Sequence, residues 1–155
     1  VTNNDVLRRI RYTFDYSDVK MVEIFALAGQ EVTREQVGAW LKKDDDPAFQ
    51  LCRDVELASF LNGLIIERRG KKEGVQPEPE QRLTNNIIFR KLKIALDLQA
   101  EDVIEILALA DVQISKHELS AFFRKPGHKN YRTCQDQILR NFLNGMQLMY
   151  REAEG

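Results

Sequence analysis

Thr2-Asn3-Asn4 and Phe60-Leu61-Asn62-Gly63 return, in the same order, as Thr84-Asn85-Asn86 and Phe142-Leu143-Asn144-Gly145. Between these signatures the two stretches align at one constant offset of roughly 82 positions, without a gap and with about nineteen identities. The chain is therefore one unit written twice. Residues 1–69 hold the first copy, 84–155 the second, and 70–83 join them. A unit of about 70 residues sits near the size at which one core is only marginally sufficient. The copies are accordingly expected to pack on each other and bury the apolar surface that each leaves over.

Each copy reads as four helices. Asn3 and Asn4 are placed to cap the first, which carries Leu7, Ile10 and Phe14 at helical spacing, as its counterpart carries Phe89, Leu92 and Leu96. The second presents Met21, Ile24 and Phe25, matched by Val103, Ile106 and Leu107, and Gly29 is a natural residue to end it. The third opens on Thr33-Arg34-Glu35-Gln36 in one copy and Ser115-Lys116-His117-Glu118 in the other, both with capping-box spacing. Its apolar edge is Val37, Trp40 and Leu41, then Leu119, Phe122 and Phe123, and Pro47 and Pro126 lie just beyond. The fourth is predicted over 50–69 and 132–151, the longest in each copy. No stretch alternates β-branched and polar residues, so the expected fold class is all-α: two tandem, internally homologous four-helix repeats packed together. The linker, with Pro77, Pro79 and glycines among charged residues, is expected to be exposed.

Composition excludes more than it assigns. The chain has 23 basic and 24 acidic residues, a formal net charge of −1, so no global excess marks a nucleic-acid or membrane binder. No apolar run is long enough to span a bilayer, and Val1-Thr2-Asn3-Asn4-Asp5 lacks the regions of a signal peptide. Cys52 and Cys134 occupy matching places and form neither a disulfide framework nor a zinc pattern. A cytoplasmic protein with one buried thiol per copy is the expectation.

The Thr-Asn-Asn signature, the Glu-Ile-(Phe/Leu)-Ala-Leu-Ala helix and Phe-Leu-Asn-Gly together resemble the YehS-like bacterial family, tandem repeats of domain-of-unknown-function family 1456. The resemblance covers nearly the whole chain, linker included. It implies a small cytoplasmic bacterial protein and supplies no catalytic residues.

Phe60, Asn62, Gly63 and their equivalents Phe142, Asn144 and Gly145 are the candidates for helix packing or for a groove. A glycine inside a helix costs roughly 0.5–1 kcal/mol against alanine, and both copies keep one. Structurally, the glycines would admit a second helix closely while the asparagines bond to its backbone. Functionally, the asparagines would line a groove for a partner segment. A second candidate is the basic stretch Arg124, Lys125, His128, Lys129 and Arg132, with Tyr131 beside it, following a unit that resembles a helix-turn-helix in outline. Such a cluster contacts phosphate or is simply a solvated loop. Its counterpart in the first copy contains Asp44-Asp45-Asp46, which repels phosphate and lacks the spacing of a calcium loop.

No phosphate loop, nucleophile elbow or zinc-protease motif occurs. The only histidines, His117 and His128, lack metal-ligand spacing and read as surface residues. The sequence therefore predicts no catalytic residues, no metal and no cofactor. The leading expectation is a non-catalytic helical module with a protein partner. The alternative is a nucleic-acid-binding regulator using the basic loop of the second copy.

Overall fold

The computed structural model describes residues 1–152, and every regular element among them is helical; the last three residues of the second copy's range lie outside the described residues. The first repeat comprises α1 (Asn3–Phe14), α2 (Asp18–Leu27), α3 (Arg34–Leu41) and α4 (Asp54–Arg69). The second comprises α5 (Asn85–Ala95), α6 (Ala100–Leu109), α7 (Lys116–Ala121) and α8 (Asp136–Gln147), with a π-turn over Leu148–Glu152. No described helix is long and apolar enough to cross a membrane.

Local signals set most of the boundaries. Both capping boxes of the third helices form: Thr33 Oγ1 accepts from the Gln36 amide at 3.1 Å, and Ser115 Oγ from the Glu118 amide at 3.0 Å. Gly29 lies in the left-handed region with φ 81°, ending α2, and Asp111 adopts the same conformation at φ 63° after α6. Asp15 and Asp97 do likewise after α1 and α5.

Three expectations are corrected. Asn3 and Asn4 do not cap α1; Thr2 does, accepting from the Asp5 amide, and Thr84 caps α5 in the same way. Both asparagines are instead helical residues that reach across the repeat. Asn4 Nδ2 donates to the carbonyls of Trp40 and Gln50 while its Oδ1 accepts from the Cys52 amide. Asn86 repeats all three bonds with Phe122, Arg132 and Cys134. Because those backbone groups are held by an asparagine, residues 50–53 and 132–135 stay out of the helix, and the fourth helices begin at Asp54 and Asp136. Finally, α7 ends at Ala121, so Phe122 and Phe123 follow the helix in a tight turn and pack from there around Phe89.

The repeats are joined by an exchange. Helix α5 of the second repeat packs on α4 of the first, and α1 of the first packs on α8 of the second. Since α5 corresponds to α1 and α8 to α4, the two seams are related by an approximate two-fold. A single apolar cluster runs through both repeats, including Phe25, Trp40 and Phe60 in one and Phe89 and Phe142 in the other. The linker is only partly exposed. Val75 is fully so, but Glu80 and Leu83 lie against the α4/α5 seam, where the Leu83 amide donates to Asp54 Oδ2 at 2.8 Å.

Candidate functional site

The Phe-Leu-Asn-Gly motifs belong to the packing. A Cβ built on Gly63 would lie 2.0 Å from the Ile24 carbonyl oxygen, and one on Gly145 2.0 Å from that of Ile106. Each glycine thus marks the crossing where the fourth helix meets the backbone of the second. The Phe60 ring packs tilted against Phe25 with centroids 5.1 Å apart, and Phe142 likewise against Phe89 at 4.7 Å, both fully buried.

The asparagines have a different partner from the helix backbone expected for them. Asn62 Oδ1 accepts from Lys91 Nζ at 2.5 Å, and Asn144 Oδ1 accepts from the Arg9 guanidinium. Each joins the fourth helix of one repeat to a cation on the first helix of the other. Arg9 and Lys91 were missed by the motif reading, although both copies place a cation beside an apolar residue, Ile10 or Leu92. Phe60, Asn62, Gly63, Phe142, Asn144 and Gly145 line neither the basic cleft of the second repeat nor the smaller one beside α1, although Leu143 of the second motif lines the latter.

A cleft lies in the second repeat, with a volume of about 750 Å³, within the range of ligand sites. Arg124, Lys129 and Arg132 line it, with His117 and Tyr131 beside them; Ile114, Phe122 and Ile138 add apolar surface. Asn86 fixes the cleft's walls by holding the carbonyls of Phe122 and Arg132.

Lys125 and His128 are exposed on the same loop and do not line the cleft. His128 shapes the turn instead: its Nδ1 accepts from the Asn130 amide at 3.0 Å. The basic residues Arg124, Lys125, Lys129 and Arg132 form no ion pair among the described residues, whereas ten are formed elsewhere. The one carboxylate lining the cleft is Glu118. Hydrogen bonds from Ser115 hold its carboxyl below the usual range, so it is ionised and committed to capping α7. The cleft keeps a net positive charge.

In the helix-turn-helix outline the third helix is α3 in the first repeat and α7 in the second. Trp40 is buried against Phe25, and the Gln36 side chain is spent in its capping box. The equivalent helix α7 has six residues, about 9 Å of rise. Asp44 and Asp45 are exposed, and Asp46 Oδ1 accepts from the Ala48 amide. Among the described residues no three His, Cys, Asp or Glu side chains are grouped to hold a metal ion.

The thiols are poorly suited to nucleophilic chemistry. Burial, aided by neighbouring carboxylates, pushes Cys52 and Cys134 up to about 12. The thiolate fraction near neutral pH is then vanishing, and the thiolate is the reactive species.

Comparison with known proteins agrees with the duplicated architecture. The family model described as "Protein of unknown function (DUF1456)" matches twice, over residues 3–70 and 85–152. The uncharacterized protein YehS of Escherichia coli (strain K12) is 46% identical over 154 residues, covering 99% of each chain. No solved structure matches the chain.

Proposed function

The chain belongs to the DUF1456 family, and from its geometry we propose that it is a non-catalytic helical interaction module. Its receptor site is the cleft of the second repeat, and its partner is a protein segment that is both acidic and apolar. The observation that carries this reading is the cleft's lining: three cations that form no ion pair among the described residues, set beside aliphatic and aromatic surface. Carboxylates on the partner would pair with Arg124, Lys129 and Arg132, and its apolar side chains would cover Ile114, Phe122 and Ile138. The buried thiols, whose pKa is pushed up to about 12, support a role without thiolate chemistry.

The loop favours one second reading. Arg124, Lys125, His128, Lys129 and Arg132, with Tyr131 available for stacking, also suit a single-stranded nucleic acid. Salt response separates the two, because phosphate contacts make affinity fall steeply with ionic strength.

The test is capture of partners from bacterial lysate on the tagged protein, with and without nuclease, followed by mass spectrometry. The proposal expects a specific protein that survives nuclease. Loss of every partner on nuclease treatment would transfer the site to nucleic acid, and Lys125→Glu with Lys129→Glu would then abolish binding with the fold intact.

A further inference from the structure

The approaches to the two fourth helices share a backbone and differ in one carboxylate. Arg53 and Gln135, at equivalent places, have φ −77°, ψ 161° and φ −74°, ψ 157°. The amide three residues on returns to the carbonyl of each, from Glu56 at 3.0 Å and from Ile138 at 3.1 Å. In the first repeat Glu56 completes this turn. Its Oε1 accepts from the Arg53 amide at 2.9 Å and from Arg53 Nε at 3.1 Å, and the residue is only 7% exposed. One carboxylate thus satisfies a backbone donor and neutralises a neighbouring cation.

In the second repeat Ile138 stands in the place of Glu56. An isoleucine side chain accepts no hydrogen bond, and among the described residues no side chain takes the Gln135 amide. Gln135 and Ile138 both line the basic cleft, together with Arg124, Lys129 and Arg132, none of which forms an ion pair among the described residues. The surface that carries its own carboxylate in one repeat is therefore part of a cleft with unmatched cations in the other.

The surrounding exchanges favour the same sign. Four raise the charge: Ile138 for Glu56, Arg132 for Gln50, Lys129 for Pro47 and His117 for Glu35, counting the histidine as neutral. Two lower it, Gln135 for Arg53 and Glu118 for Gln36, and Glu118 is spent on the Ser115 amide.

Building on this cleft as the receptor, we infer that Ile138 determines what it receives: a glutamate of the partner segment, whose carboxylate takes the part that Glu56 plays in the first repeat. That carboxylate accepts from the Gln135 amide and is matched by the cations of the lining, both charge-assisted contacts. Ile138 supplies an apolar wall beside it, where exclusion of water strengthens such contacts. The molecule itself supplies the template, since Glu56 shows a glutamate side chain seated on the equivalent turn. The first repeat is closed to the same ligand because it carries the carboxylate already.

The test is a nuclear magnetic resonance titration of the isotope-labelled full chain with the capped peptide Leu-Glu-Leu-Glu-Leu and its counterpart Leu-Gln-Leu-Gln-Leu. The Gln135 amide proton should move downfield with the glutamate peptide, with smaller movements at Arg132 and Ile138, and stay in place with the glutamine peptide. Ile138→Glu installs the missing carboxylate within the chain. It should move the Gln135 amide downfield with no peptide present and weaken peptide binding about tenfold or more, whereas Ile138→Leu should bind as the parent does. A Gln135 amide that stays still while residues 124–132 respond would overturn the assignment and leave the receptor cleft standing, as would undiminished binding by Ile138→Glu. No response anywhere in the cleft up to about 10 mM peptide would overturn both. The response of Gln135 in the parent chain decides the matter should Ile138→Glu fail to fold.

Discussion

Residues 42–53 and 124–135 follow one backbone path and differ in charge beyond their first two residues. Asn4 pins the first loop and Asn86 the second through the same three bonds. The Gln50 amide reaches the Ala39 carbonyl as the Arg132 amide reaches that of Ala121. Even the side chain shaping the turn is matched in role: Asp46 Oδ1 accepts from the amide two residues on, and His128 Nδ1 does the same. Both loops open on two cations, Lys42-Lys43 and Arg124-Lys125, yet one continues with Asp44-Asp45-Asp46 and the other carries Lys129 and Arg132. The conformation is set by asparagine clamps and a turn acceptor, not by charge. Surface charge was therefore free to diverge, and in the second repeat it surrounds a cleft.

The comparison can be broken most forcefully at the paired glycines. Gly63→Ala and Gly145→Ala each drive a methyl into a carbonyl oxygen 2.0 Å away. Each should cost roughly 3–5 kcal/mol, and the double variant should not fold cooperatively. Gly38, inside α3 with open space around it, is the control. Gly38→Ala should gain about 0.5–1 kcal/mol. Chemical denaturation checks all of these, and equal effects at Gly38 and Gly63 would refute the close-approach account.

Removing the clamps comes next. Asn4→Ala and Asn86→Ala should each cost about 2–4 kcal/mol, as three buried or partly buried backbone groups lose their partner. Amide exchange should accelerate at Cys52 in the first variant and at Cys134 in the second, each confined to its own repeat.

The seams should respond unequally. Asn62→Ala leaves a buried lysine with Glu80 alone, while Asn144→Ala exposes a partly solvated arginine. The first should cost about 2 kcal/mol and the second nearer 1. Equal losses would mean that the seams are energetically interchangeable.

The smallest effect lies at the matched helix ends, Gly29 and Asp111. Asp111→Gly should raise stability by about 0.5–1 kcal/mol, and Gly29→Asp should lower it by a similar amount.

Much of this architecture is legible in the residues, because its determinants are local or duplicated. The capping boxes at Thr33 and Ser115, the left-handed Gly29 and the glycines inside the fourth helices each act within a turn or recur at a fixed offset. Asn4 shows where that legibility ends. Its neighbours suggest a cap, but its partners lie 36 to 48 residues away, and no local pattern encodes them. The exchanged pairing of α1 with α8 and α4 with α5 is hidden for the same reason, since a linker of this length permits more than one packing. The basic loop was visible as charge; that Arg124, Lys129 and Arg132 line a cleft while Lys125 and His128 do not is decided by tertiary placement.

The central claim is that the second repeat's loop carries the binding function on a backbone shared with the first. It is tested by grafting residues 42–47 in place of 124–129 and repeating the nuclease-treated capture beside the parent chain. The account predicts unchanged thermal unfolding together with loss of the proteins that the parent retains. Recovery of the same proteins on the graft would contradict it and remove the function from this cleft.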